Sequence, residues 1–134
     1  MSQETAVLFA NEAFYLAFAS RDFTAMEAIW SAGDAVTCIH PGWPALSGRG
    51  AVIGSWRDIL ANPDAPGITC ARARAHVAED MAYVICAERL DGGELMATNI
   101  FVREAKTWKM VHHQAAPAPA GAADPPAVKP PTLQ

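Results

Sequence analysis

Apolar positions in the first part of the chain recur with a helical period. When residues 5–20 are placed about 100° apart, Val7, Leu8, Asn11, Phe14, Tyr15 and Phe18 fall on one stripe, which predicts a first helix with one core-facing side. Phe23, Met26 and Trp30 repeat the spacing over a short second helix, residues 23–30, and Gly33-Asp34 breaks it before a β-branched segment. Residues 35–40 then read as a strand closed by Pro41-Gly42. The loop through Trp43, Pro44 and Gly48 leads into a third helix whose buried stripe is Val52, Trp56, Ile59 and Leu60, ended by Asn62, Pro63, Pro66 and Gly67.

Beyond this point the pattern becomes that of strands. Residues 68–77, 81–90, 94–103 and 107–115 form long runs separated by Glu79-Asp80, Asp91-Gly92-Gly93 and Glu104-Ala105-Lys106. Long strands joined by tight turns make an antiparallel meander. The order helix, helix, strand, helix, strands gives an α+β fold in which three N-terminal helices pack on one face of a curved, mostly antiparallel sheet. Residues 1–116 make up one such domain. The remainder, 117–134, is dominated by Pro, Ala and Gly and lacks the apolar surface to offset the entropy of ordering, so a disordered tail is expected.

Both faces of several strands are apolar. Val84 and Cys86 alternate with Tyr83, Ile85 and Ala87, and Met96 and Ile100 alternate with Leu95, Ala97 and Phe101. Helices on one side cover one face only, so the pattern predicts a homodimer in which a second copy buries the other. Composition agrees with one core, since 51% of the 134 residues are hydrophobic. A net charge of -4 without clustered lysines or arginines argues against nucleic-acid and membrane partners. The N-terminal segment is acidic and polar instead of a basic leader, and no apolar run reaches bilayer length, so a cytoplasmic protein is expected. Cys38, Cys70 and Cys86 sit in apolar stretches without CxxC spacing and read as buried reduced thiols.

Four strings, ANEAFYLAFASRDFTAMEAIW, CIHPGW with LSGRGAVIGSW, VAEDMAYVICAERLDGGELMATNIF and TWKMVHHQAAP, resemble the nuclear transport factor 2-like superfamily, in particular its SnoaL-like members, over residues 5–116. The hairpin and closing strand are also similar to the association domain of calcium/calmodulin-dependent protein kinase II, an oligomerisation module. The resemblance implies a cone-shaped, cystatin-like fold with one apolar pocket. Ketosteroid isomerase, scytalone dehydratase, limonene epoxide hydrolase and polyketide cyclases use that pocket for acid/base chemistry, while other members only bind or assemble. Laid against ketosteroid isomerase, the Asp-Pro supplying its general base falls on His40-Pro41, its oxyanion-hole tyrosine on Phe14 and its protonated aspartate near Thr98 or Asn99. These replacements argue against that activity and leave room for another pocket chemistry.

His40 follows Val36 and Cys38 at strand spacing, which puts it on their inward face at the strand's end, where a proton acceptor belongs. A histidine moves protons near neutrality once a partner fixes its tautomer; the alternative is a turn cap or the partner of a buried carbonyl. Glu88 continues the Val84, Cys86 alternation as an acid on an apolar face, where desolvation raises a carboxyl pKa and suits it to catalysis. The alternative for Glu88 is an ion pair with Arg72 or Arg74. Asn99 comes near it across the hairpin. Asn11, polar within an apolar stripe, and Tyr15 beside it either enter the cavity or bond to the sheet. Trp43 and Trp56 are rings suited to wall a pocket for a flat or cyclic ligand, with core packing the plainer role for Trp56, and Phe101 completes the candidate ligand-binding set.

Arg72, Arg74 and His76 alternate with small alanines as a polar ladder that faces solvent or, inverted, meets an anion in the pocket. His112 and His113 point to opposite faces, and alternation does not say which reaches the pocket; they lack the third ligand of a metal site. With no triad order and no glycine-rich phosphate loop, neither a cofactor nor a metal is expected. The sequence thus predicts a protein that binds a small hydrophobic metabolite and acts on it by acid/base catalysis as an isomerase, dehydratase or cyclase. The alternative is a non-catalytic ligand-binding or oligomerisation module.

Overall fold

The computed structural model describes residues 1–119. Two helices open the chain, α1 (Gln3–Ala19) and α2 (Phe23–Ile29), followed by strands β1 (Thr37–Ile39) and β2 (Leu46–Ser47) and helix α3 (Arg49–Ala61). Four long strands complete it: β3 (Thr69–Ala78), β4 (Met81–Leu90), β5 (Gly93–Glu104) and β6 (Thr107–Ala118). Each helix starts on a side-chain acceptor. Ser2 Oγ takes the Thr5 amide at 3.1 Å, Asp22 Oδ1 the Ala25 amide at 3.0 Å, and Asp34 Oδ1 the Arg49 amide at 2.9 Å. The last of these reaches in from a distant loop, and Gly48 permits it. Its φ of 93° is left-handed, and a Cβ there would stand 3.4 Å from the Asp34 carboxylate.

The sheet has six strands in the order β2-β1-β6-β5-β4-β3, antiparallel throughout except for the parallel pair β1 and β6. Three expectations are corrected. Only α1 and α2 are N-terminal to the sheet; α3 is inserted after β1 and a second short strand, β2, whose two residues carry no alternation to read. β1 is shorter than residues 35–40 because the Val36 and His40 carbonyls accept the Gly48 and Trp43 amides, both at 2.9 Å, and so leave the ladder. β6 runs on through Pro117 to Ala118. Past Gln114 it has no neighbour on the β1 side among the described residues, and a strand edge tolerates proline. Residues 120–134, most of the expected disordered tail, lie outside the described residues.

Two register shifts decide which side chains face inward. One falls in β3 between Ala71 and Arg74, where Arg72 adopts a φ of 56°. Before it Cys70 pairs with inward-facing Glu88; after it Ala75 and Val77 pair with buried Val84 and Ala82. The arginines therefore stay off the inner face. Arg72 donates to Glu94 at 2.8 Å, and His76 stacks on Tyr83 with ring centroids 4.8 Å apart. The second shift lies opposite Ile100 and Phe101, which pair with His112 and Met110 and leave Val111 as the extra residue.

The helices cover the inner face. Phe14, Met26, Trp30, Val36, Val52, Trp56, Phe101 and Met110 form one fully or nearly fully buried cluster, each contributing about 1.5–3 kcal/mol of transfer free energy. Phe14 sits at its centre, edge-on to Tyr15 at 4.8 Å and to Trp56 at 5.3 Å. On the opposite face no helix of the described residues lies over Met81, Tyr83 and Met96, which are 42%, 37% and 40% exposed.

Candidate functional site

A cleft of about 380 Å³ opens between the end of α1, the α3 side and the β4 and β5 ends nearest their hairpin. His40, Trp43, Trp56, Glu88 and His113 line it together with Phe18. Strand register explains why polar groups meet at its floor. Val84, Asn99, His113 and Cys38 form one inward row across four strands, and Glu88 with Leu95 forms another. The row between them is Cys86, Ala97 and Ala115, all small and buried. Into the hollow above these small residues α1 inserts Tyr15, whose hydroxyl lies 2.6 Å from Glu88 Oε2 and 3.3 Å from Cys86 Sγ.

The partners of Asn99 fix donors and acceptors on this floor. Asn99 Nδ2 donates to Asn11 Oδ1 at 2.8 Å and to Tyr15 Oη at 3.1 Å, so its Oδ1 faces His113 Nδ1 at 2.6 Å. His113 Nδ1 therefore carries the hydrogen. Tyr15, accepting from Asn99, donates its own hydrogen to Glu88 Oε2. Among the described residues the sealed side-chain nitrogen or oxygen atoms without a partner are the indole nitrogens of Trp30 and Trp56. Glu88 Oε1, which makes no hydrogen bond, is therefore not sealed and opens to the cleft that Glu88 lines.

Burial sets the charges. Glu88 is 2% exposed, and desolvation holds its carboxyl above the ordinary carboxylate range against the opposing pull of the Tyr15 hydrogen bond. Burial, then the nearby charge of Glu88, pushes the Tyr15 phenol well above its usual range. Burial also lowers His113 to about 3, with His40 and His112 contributing, and lowers His40 to about 4. The 3.9 Å approach of His113 Nε2 to Glu88 Oε2 is thus a meeting of neutral imidazole and carboxyl instead of an ion pair.

His40 has its own support. Its Nε2 lies 2.9 Å from Ser55 Oγ, and Ser55 spends its hydrogen on the Val52 carbonyl at 2.7 Å. The serine must then accept, which puts the imidazole hydrogen on Nε2 and leaves Nδ1 unprotonated. Trp43 and Trp56 pack against the His40 ring, each at 4.8 Å.

Of the sequence candidates, His40, Trp43, Trp56 and Glu88 line the cleft. Trp43 stands at the rim, 45% exposed, while Trp56 is fully buried. Asn11, Tyr15 and Asn99 converge as a layer behind the lining and not on it, because Glu88 and His113 stand in front of them. Phe101 is displaced further. Inward positions on β5 run Leu95, Ala97, Asn99, Phe101 away from the opening, so Phe101 ends fully buried in the core beside Ala82 and Met110. Glu88 meets Tyr15 instead of Arg72 or Arg74, and His112 lies off the floor, 2.6 Å from Thr37 Oγ1.

Two residues of the cleft and its support carry no clear mark in the sequence. Between His112 and His113 the sequence does not choose; in the structure Trp108 and Met110 face inward, and the extra residue Val111 hands the next inward place to His113. Ser55 flanks the α3 stripe beside Trp56 and gives no signal of its own. Among the described residues no group of three or more His, Cys, Asp or Glu side chains stands close enough to hold a metal ion, and no helix is long and apolar enough to cross a membrane.

A model of the SnoaL-like domain matches residues 7–120. Among solved structures the chain is similar to a "putative dehydratase from the NTF2-like family" of Streptomyces avermitilis, 36% identical, with a TM-score of 0.78 and 87% of this chain and 96% of the other covered. It is also similar to a "putative calcium/calmodulin-dependent protein kinase type II association domain" of Thiobacillus denitrificans, 34% identical with a TM-score of 0.74, over 81% of this chain and 92% of the other. Among curated proteins it is 32% identical over 110 residues to the F-box protein SKIP8 of Arabidopsis thaliana, covering 81% of this chain and 48% of that relative. The chain therefore spans about half the length of the curated relative it matches.

Proposed function

The chain belongs to the SnoaL-like domain family, and we propose that it binds a small hydrophobic metabolite in the cleft and moves a proton on it without a cofactor. The observation that carries this reading is the buried Glu88 carboxyl, anchored through Oε2 by Tyr15 and opening to the cleft through Oε1. A carboxyl raised from its ordinary range keeps its proton to higher pH than a free carboxyl does, which suits it to give and take one. A volume of about 380 Å³ lies within the size range of small-molecule sites, and Trp43, Phe18, Leu90 and Leu95 suit a flat or cyclic ligand.

Of the three reactions open to such a site, isomerisation, cyclisation and dehydration, the pairing of a separate acid and base favours dehydration of a β-hydroxycarbonyl compound. His40 Nδ1 takes the proton from the carbon next to the carbonyl, the electron pair forms the C=C bond, and the C–O bond breaks. Glu88 Oε1–H protonates the departing hydroxide to water. Proton return from His40 to Glu88 through solvent restores the site. The name given to the Streptomyces avermitilis protein accords with this choice.

The test is proton magnetic resonance of 3-hydroxycyclohexanone, 2-cyclohexenone and 1-tetralone incubated with the protein in D2O. Deuterium entering next to the carbonyl, or conversion of the first probe to the second, is the expected result, with His40→Ala folded and at least tenfold slower. Absence of exchange with every probe would count against catalysis.

A second reading, that the domain assembles, is favoured by a separate observation. The uncovered sheet face aligns Met81, Tyr83 and Ile85 of β4 with Val102, Ile100 and Thr98 of β5. Such a face suits an isologous homodimer, in keeping with the association-domain relative. Light scattering is expected to give twice the chain mass for the wild type and the monomer mass for Met96→Glu, since Met96 is already 40% exposed and tolerates a charge in the single chain. A monomeric wild type at 100 μM would end this reading and leave the cleft proposal standing.

A further inference from the structure

We infer that Asn99 is a positioning residue that holds His113 as its Nδ1–H tautomer, so that Nε2 meets the ligand as a hydrogen-bond acceptor and the site reads a hydroxyl or N–H on what it binds. The inference rests on the ligand-site reading above. Asn99 is fully buried and outside the cleft lining, so it reaches a ligand only through a neighbour: directly through His113, or by way of Tyr15 through Glu88, and the histidine nitrogen spectrum separates the two routes.

The orientation of the amide is fixed by its neighbours. Turned over, Asn99 would set its carbonyl against the Asn11 carbonyl, 2.8 Å away, and lose its bond to Tyr15. In its present orientation both amide hydrogens are spent and the remaining acceptor lies 2.6 Å from His113 Nδ1. Which imidazole nitrogen keeps the hydrogen is set by the partner of the other, and here the partner is a carbonyl. Nε2 is left as a lone pair 3.9 Å from Glu88 Oε2, too long for a direct hydrogen bond, and His113 lines the cleft, so this nitrogen is the imidazole acceptor left for a ligand donor. Among the described residues the cleft lining includes the carboxyls of Asp64 and Glu88 and no lysine or arginine. An uncharged hydroxyl is therefore the donor best suited to Nε2, and a ligand carboxylate meets no cation.

Nitrogen spectra of the protein labelled with ¹⁵N-histidine, assigned with His113→Gln, report which nitrogen bears the hydrogen. The expected wild-type signature at pH 7.5 is a protonated Nδ1 and an unprotonated Nε2. Asn99→Leu removes the acceptor at similar volume and should shift the hydrogen to Nε2. Phenol and anisole, titrated against tryptophan emission, separate a hydroxyl donor from its methyl ether; the wild type should prefer phenol about tenfold and Asn99→Leu should lose that preference. Should Asn99→Leu fail to fold, the wild-type spectrum still decides. A His113 protonated at Nε2, or averaging between tautomers, overturns the inference. Nδ1–H with equal binding of the two probes overturns its ligand half, and binding of neither, with no exchange activity, overturns the ligand-site reading beneath it.

Discussion

Glu88→Gln folds normally and loses about 10²–10⁴-fold of the exchange or dehydration rate, the range typical of removing a general acid or base. The substitution keeps the shape of the floor. The amide oxygen can still accept from Tyr15 at the place of Oε2, now 2.6 Å from the hydroxyl, while the cleft-facing atom becomes an amide that neither gives nor takes a proton. A carboxyl held above its ordinary range binds its proton more tightly in the folded chain than in the unfolded one. Folding stability therefore falls as pH rises above the ordinary carboxylate value and through the raised one. The glutamine variant has no such loss, so at pH 8 it should unfold at the same denaturant concentration as the wild type or a higher one. Steady-state rates on the wild type's best probe, beside urea unfolding at pH 8, give both quantities. An active glutamine variant would remove Glu88 from the chemistry, whatever the cleft binds.

How much of this was legible in the sequence depended on unbroken alternation. Glu88 follows Val84 and Cys86 on an uninterrupted strand, and the period of two carried it inward as the sequence suggested. Asn11 and Tyr15 lie on an unbroken helical stripe, and both reach the same polar cluster. Proximity of Glu88 and Asn99 was also legible, although the Tyr15 hydroxyl stands between them as the shared partner. Alternation failed where the backbone spends an extra residue. Arg72 in a left-handed conformation and Val111 opposite the Ile100 and Phe101 step each invert parity downstream. Neither position has a glycine, proline or asparagine to announce it. The dependence of His40 on Ser55 was hidden for another reason, since it joins a strand end to a helix face across fifteen residues and no local period reports such a contact.

Acid is expected to weaken the folded state well before the carboxylates as a class are protonated. His40 and His113, at 4% and 3% exposure, are held by burial at about 4 and about 3 against an ordinary value of 6.5. A base kept below its ordinary range picks up its proton in the unfolded chain first. Between pH 6.5 and about 4 the unfolded state thus binds more protons, and stability falls as pH falls. By pH 5 each histidine costs about 2 kcal/mol relative to neutral pH, and the pair removes a large share of the roughly 5–15 kcal/mol typical of a domain. Glu88 slopes the other way, its contribution falling as pH rises, so the stability maximum sits where the two trends cross. From pH 6.5 to 5 the two buried histidines drive the loss on acidification, and any contribution of Glu88 runs against it. Urea unfolding across that stretch should show a steep loss for the wild type, a shallower one for His40→Gln and for His113→Gln, and the least for the double variant. Parallel slopes in all four proteins would mean that both imidazoles take up a proton without unfolding. The floor would then be more polar than its burial implies, and the neutral acceptor at His113 Nε2 would be lost with it.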